Sequence, residues 1–443
     1  MIIRRGGAIN AGGLRVSLRD FPYPYSAMAA LVNDCDNNSL RAFERYHRFL
    51  NTRGRTIYGE GLGLDVSDSF FAYTSAADYK SVMTYFIGAG ADALNDARKI
   101  ERYVRCGWID TMHTYGDFSA SNEEYLGGVG GPAFSRALAE SAFSAFVRGG
   151  VFPMIWSDHG NEGNAQNFGS LGPWASARYK RGDDIYNEEF YHTDVTLSGG
   201  VKYVWDARPD SRFGRGFPAE ARTLRDGRKV WSFSRYTGGD GGWAATGGAG
   251  LRDAGAGANE AAGANEAAGG AWDWYPDKLR YEITEERLSS LAENGQYGLF
   301  AQHLGFYGED YILDAEDVAA LRLLAEYQRE RGAVLVAGTA RLLEYATARK
   351  YVEYSVSVNG AGAVDIDITA IRDPLFPDGK PGADRVRGLT FYCDDPAGSR
   401  IMLNGAPLPE RLVERNPADA ETGRPSIAIR WHEPDLTDYT QFG

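Results

Sequence analysis

The stretch Ser26-Ala-Met-Ala-Ala-Leu-Val-Asn33, followed at once by Asp34-Cys35-Asp36, decides how the rest of the chain reads. A short apolar run that stops at two carboxylates reads as a strand with a polar end. Asn38 or Ser39 then caps an amphipathic helix that carries Leu40, Phe43, His47 and Leu50 on one face.

Working outward, the same rhythm recurs. Ser69–Tyr73 reads as strand, and a helix near Asn95–Arg105 leads into a strand at Gly107–His113. A helix near Ser135–Arg148 leads into Val151–Ser157. Further strands are expected at Val201–Trp205, Val230–Arg235 and Gly298–His303, the last preceded by a helix over Thr284–Glu293. Asp314 caps a helix bearing Val318, Leu321, Leu324 and Tyr327, before a strand at Ala333–Ala337 and a helix at Thr339–Arg349. So many alternating units predict an α/β fold, either a (β/α) barrel or an open doubly wound sheet over residues 1–351.

After Lys350 the period changes. Tyr354, Val356 and Val358, then Val364, Ile366 and Ile368, then Leu389, Phe391 and Cys393 alternate with polar neighbours between Gly, Pro and Asp turns. This predicts a small antiparallel, β-sandwich-like domain at 352–443. Within the 1–351 region lies the Gly/Ala-rich stretch Thr246–Gly270, with GANEAA in tandem at Gly257–Ala262 and Gly263–Ala268, expected to be a flexible insert.

Composition narrows the function. The 443 residues carry 47 Lys and Arg against 60 Asp and Glu, a net charge of −13 with no dense basic run, which argues against nucleic acid as a partner. Cys35, Cys106 and Cys393 form no CxxC and read as free thiols. The opening Met1-Ile-Ile-Arg-Arg-Gly-Gly lacks the apolar core of a secretory signal, and no stretch reaches transmembrane length. The expectation is a cytoplasmic protein without membrane contact, a trimmed secreted form being the alternative. There is no GxSxG, no HExxH, and Gly59, Gly61 and Gly63 fall short of GxGxxG. With 26 Tyr and 9 Trp, many beside Gly, Asn and Asp, the loops offer flat rings next to polar groups, a combination that suits sugars.

The chemistry-bearing residues follow strands. His113-Thr-Tyr-Gly-Asp117 places an imidazole and a carboxylate four apart, which on one helical turn would face one cation together, and Asp36 supplies a third ligand. The competing readings are a satisfied buried histidine and a helix cap. His159, in Ile-Trp156-Ser-Asp158-His159-Gly, suits a metal, a substrate or a Gly turn equally. His192 and Asp194 suit a substrate loop or a structural pair, and His303 ends an apolar strand where a general acid can sit.

These residues resemble the polysaccharide deacetylases, family four of the carbohydrate esterases, in the wider glycoside hydrolase/deacetylase (β/α)-barrel superfamily. The resemblance covers residues 26–346 through LVNDCDN, MHTYGDF and the Gln302-His303-Leu304 stretch, and looks like a bacterial branch distinct from typical chitin or peptidoglycan deacetylases. It implies a distorted (β/α)7-type barrel, Asp34 as catalytic base, His303 as general acid, and Asp36, His113 and Asp117 on a divalent metal. The family has a second His where Asp117 stands; the added charge leaves zinc, cobalt, manganese and nickel open. The family's Arg-Pro-Tyr motif has no copy, IWSDHGN holding that strand with His159 as a stand-in.

The expected function is therefore metal-dependent removal of an acyl group, acetyl above all, from a carbohydrate or polysaccharide. His159, Trp156, Tyr115, His192 and Asp194 are the expected substrate contacts. The alternatives are a glycosidase pairing Asp34 with Asp110, Asp158 or Asp194, and a glycan-binding protein on a degenerate barrel.

Overall fold

The computed structural model describes residues 9–11, 14–74, 82–118, 134–159, 165–169, 181–206, 213–238, 274–360 and 362–442. The insert expected at Thr246–Gly270 lies outside the described residues, as do Trp174, Trp243 and Trp272. Among the described residues, eight parallel strands build the two sheets of the α/β region and are numbered here in chain order: β1 Ala27–Asn33, β2 Asp68–Phe70, β3 Ile109–Met112, β4 Ile155–Ser157, β5 Tyr203–Trp205, β6 Lys229–Phe233, β7 Tyr297–Gln302 and β8 Val334–Val336.

Every residue of β1 and β7 is buried, the state of strands covered on both faces. β1 lies between them all as the centre of a three-stranded sheet, pairing Met28–Asn33 with Tyr297–Gln302 on one side and Ala27–Ala29 with Val334–Val336 on the other. The remaining strands stand in the order β6-β5-β4-β3-β2, with Ala219–Thr223 antiparallel on β6. Just past β6, Tyr236 forms a parallel bridge with Phe300 of β7, and Arg215 an antiparallel one with Tyr297. On the other side, helix Thr339–Tyr351 leans on the strands through side chains: Ser67 Oγ accepts from Thr339 N–H at 2.8 Å and Asp110 from Ala340 N–H at 2.7 Å. Among the described residues no backbone ladder joins β1 or β8 to β2, so the fold is mixed α/β with the parallel strands in two sheets, and the closed ring of a barrel is not formed by hydrogen bonds.

Ser39 and Asp314 cap the helices they were expected to cap, and Thr284 caps another. Ser39 accepts from Ala42 N–H ahead of Leu40–Asn51, Thr284 from Arg287 N–H ahead of Glu285–Asn294, and Asp314 from Glu316 and Asp317 N–H ahead of Ala315–Arg329. No helix among the described residues is long and apolar enough to cross a membrane.

The C-terminal β region departs from the reading in two ways. Val364–Ile371 pairs antiparallel with Val352–Val358 but parallel with Arg400–Leu403, so the layer is not wholly antiparallel. The second sheet has the order Ile9–Ala11, Leu14–Leu18, Thr390–Tyr392, Ser426–Ile429, Val413–Asn416, so the chain's first strands enter it. The β layer shares one apolar core with the parallel strands: Leu342, Tyr345 and Ala346 of the last long helix pack in the same cluster as Ile366, Phe391 and Ile427.

Candidate metal centre

The polar residues after β1, β3, β4, β6 and β7 all stand at C-terminal strand ends, where side chains escape the ladder and loops can converge on one point. Asp36, His113 and His159 gather there. His159 Nδ1 is 3.0 Å from Asp36 Oδ1 and 3.0 Å from His113 Nε2, and His113 Nε2 is 3.4 Å from Asp36 Oδ2. Ligands at about 2.0–2.1 Å from one tetrahedral cation stand about 3.3 Å apart, so these three donors fit a common divalent ion. The tautomer agrees: His113 Nδ1 lies 3.3 Å from the Ser157 carbonyl, which can only accept, leaving the Nε2 lone pair aimed at the cluster. The phenyl ring of Phe71 backs both imidazoles, stacked on His113 at 5.1 Å and edge-on to His159 at 5.2 Å.

Asp34 lies beside the triad, 2 % exposed, with Arg235 Nη1 donating to Oδ2 at 2.6 Å and Ser157 Oγ donating to Oδ1 at 3.1 Å. Arg235 is itself 1 % exposed and lies over the Trp205 ring at 3.6 Å. Burial pushes the Asp34 carboxyl up, but Arg235 first and then His113 and His303 outweigh it, so it is held below the ordinary carboxylate range. Asp36 behaves alike: burial raises it, and His159 and His113 bring it well below that range. His303 closes the far side, its Nε2 2.8 Å from Asp36 Oδ2 and 3.6 Å from Asp34 Oδ2, with its backbone N–H donating to the Trp274 carbonyl.

The loops carrying the imidazoles are pinned by two adjacent buried amides. Gln166 accepts from Tyr115 N–H at 2.8 Å and donates to the Gly116 carbonyl at 2.7 Å, while Asn167 accepts from His159 N–H and donates to the His159 carbonyl, both at 3.1 Å. Backbone strain also collects here. Asn37 and Thr114, each directly after a member of the triad, have φ of 53° and 57°, and a β-branched residue such as Thr114 rarely enters that region.

Several sequence expectations change. His113 and Asp117 do not share a helical turn: the chain after His113 turns at Thr114, and Gly116–Asp117 is a short strand pairing parallel with Tyr73–Thr74. The helical-spacing argument therefore fails, and the Asp117 side chain lies outside the described residues. Tyr115 and Trp156, expected at a substrate surface, are 1 % and 0 % exposed and pack in the core behind the loops. Trp156 Nε1 donates to Asp158, and the Tyr115 hydroxyl bonds Thr196. His192 is fully buried, its Nε2–H donating to the Gln166 carbonyl at 2.7 Å, and Asp194 takes two hydrogen bonds from Arg136. The polar atoms of both are engaged within the fold.

The residues missed were Arg235, Ser157, Gln166 and Asn167. Arg235 carried a legible signal, a charge closing an apolar strand, the same mark that singled out Asp34 and His303. No family model, curated protein or solved structure matches the chain, so the functional reading rests on the site's own geometry.

Proposed function

We propose that this protein is a metal-dependent hydrolase that removes an acyl group, acetate foremost, from a carbohydrate, on a distorted barrel left unclosed between β1 or β8 and β2. The observation that carries the reading is the Asp36–His113–His159 triad next to an ionised Asp34 and across from His303. Asp36, His113 and His159 would hold the cation. When bound, a divalent ion there supplies Lewis-acid polarisation of an acyl carbonyl.

The chain's own residues do the proton work. Asp34, kept ionised by Arg235, accepts the proton of the attacking water, and His303 delivers a proton to the departing amine or alcohol. Ser157 and Arg235 occupy the two oxygens of Asp34 from opposite directions and fix the orientation of the base. A second grouping, Asp34–Asp36–His303, shares Asp36, but a cation in it would lie against the guanidinium 2.6 Å from Asp34; repulsion favours a single ion.

A glycosidase needs a second carboxylate across the scissile bond. The three considered are engaged elsewhere: Asp110 caps helix Thr339–Tyr351, Asp158 accepts from Trp156 and from Phe168 N–H, and Asp194 pairs with Arg136. Acyl hydrolysis is thus favoured. Zinc-reconstituted protein incubated with an N-acetylated hexosamine oligomer is expected to release free acetate without new reducing ends. Asp34→Asn is expected to stop release while metal stays bound, and turnover by that variant at the wild-type rate sinks the proposal.

A further inference from the structure

We infer that a second, non-catalytic site lies at the other end of the parallel strands: a cavity of about 300 Å³ that takes a small organic oxyanion, a phosphate or carboxylate on a flat apolar body. Met154, immediately before β4, lines it, whereas the triad member His159 follows β4, so the two sites stand at opposite ends of one strand. Three guanidinium groups converge on the cavity from separate elements: Arg341 from helix Thr339–Tyr351, Arg385 from the turn Ala383–Val386, and Arg387 just beyond it. Trp431 and His432, after the last strand, complete the wall.

Charge and donor geometry point to an anion. The chain's net charge is −13, yet the carboxylates at this cavity are already neutralised. Glu344 receives Arg385 at 3.1 Å, Lys202 at 3.5 Å and the Tyr203 hydroxyl at 2.8 Å, and Asp65 pairs with Arg341. Asp384 is 85 % exposed and 3.3 Å from Arg387, the kind of surface pair that water screens. Arg387 spends Nε on that pair and Nη1 on the Arg430 carbonyl, and Nη2 has no acceptor among the described residues. Arg341 and Arg385 are spent on Asp65 and Glu344, so the spare donor of Arg387 is the fork that an oxyanion meets.

The aromatic wall speaks to the rest of the ligand. Trp431, packed T-shaped against Tyr345 at 5.7 Å and His432 at 5.3 Å, lines the cavity as an aromatic wall beside the arginines, and the volume suits a small molecule. His432 senses the charges. Burial, then Arg341 and Arg387, push its ring down to about 4 against the opposing pull of Asp65 and Asp384, with Glu344, Tyr345 and Arg385 completing its surroundings. An anion between the arginines offsets their field, and the ring then binds its proton at higher pH.

The test titrates the full-length, zinc-loaded protein with phenyl phosphate, inorganic phosphate and benzoate by calorimetry, and follows the His432 ring by NMR, assigned with His432→Gln. Saturable binding of phenyl phosphate or benzoate is expected, with an upward shift of the His432 titration; the tighter of the two identifies the oxyanion. Arg387→Gln is expected to weaken binding about tenfold or more. Trp431→Ala should weaken the ring-bearing ligands and leave inorganic phosphate unchanged. His113→Ala, which dismantles the metal centre, should not matter. Absence of saturable binding overturns the inference, as does binding lost in His113→Ala and retained in Arg387→Gln, which assigns the anion to the metal. If Arg387→Gln does not fold, Arg387→Lys replaces it, and a His432 titration unmoved at saturating ligand overturns the inference by itself.

Discussion

At the scale of single residues, the centre rests on one buried ion pair and one added imidazole. Asp34 and Arg235 are 2 % and 1 % exposed, so removing either leaves a buried charge without its main partner. Arg235→Ala is expected to lower the unfolding free energy by about 3–5 kcal/mol in urea titrations. Adding Asp34→Asn should restore most of it, because the stranded carboxylate is then gone; a double variant no more stable than the single one would refute the pairing argument. The imidazole of His159 separates two ligand sets. Under the geometry described, His159→Ala weakens zinc binding by more than about a hundredfold in chelator competition, since even outer partners of ligands are worth about 10–100-fold, whereas Asp117→Ala retains it. The opposite result would restore the spacing-based set.

Elements position those residues by bracing the loops at the strand ends with side-chain hydrogen bonds. Thr114 sits at φ 57°, kept there by its hydroxyl bonding the Gly116 carbonyl and by Gln166 gripping both sides of Tyr115–Gly116. Thr114→Gly removes the side-chain clash and also the brace. Its expected signature is a denaturation midpoint at or above wild type together with zinc affinity lowered about tenfold, and a fall in both would mean the loop is not strained. Much at this scale was readable beforehand. Ser39 and Asp314 cap as expected, because a cap is a contact between residues three apart or fewer. Gln166 was not readable, since its grip on Tyr115 spans 51 residues and leaves no periodic mark.

For the whole molecule, the buried His192 contributes to the response to acid. His192 is held down to about 4 chiefly by burial, while an unfolded chain binds that proton near 6.5. Between those values the unfolded state holds more protons, so stability rises with pH across the window and falls as pH drops from about 6.5 to about 4. The contribution is of order 3 kcal/mol at most. Denaturant titrations at pH 7 and pH 5 should show the loss in wild type and a smaller one in His192→Gln; equal losses would place the acid sensitivity elsewhere. The first strands matter at the same scale. Leu14–Leu18 pairs with Thr390–Tyr392 and buries Val16 completely. Deleting residues 1–18 should lower the melting temperature of the whole chain in one transition, because the β layer and the parallel strands share a core; two separated transitions would show them to be independent.

By itself the sequence determined the alternation of parallel strands and helices, the change to a two-residue period after Lys350, and the strand ends that carry Asp34, Asp36, His113 and His303, because burial and capping leave local, periodic marks. Tertiary structure alone decided that His159 stands beside Asp36 and His113, that Arg235 holds Asp34, that β8 slots beside β1, and that residues 14–18 complete a sheet built mostly from the far end of the chain. Those facts depend on strand order and stagger between segments up to hundreds of residues apart. A period within one segment says which face is buried, and carries no information on which segment lies across from it.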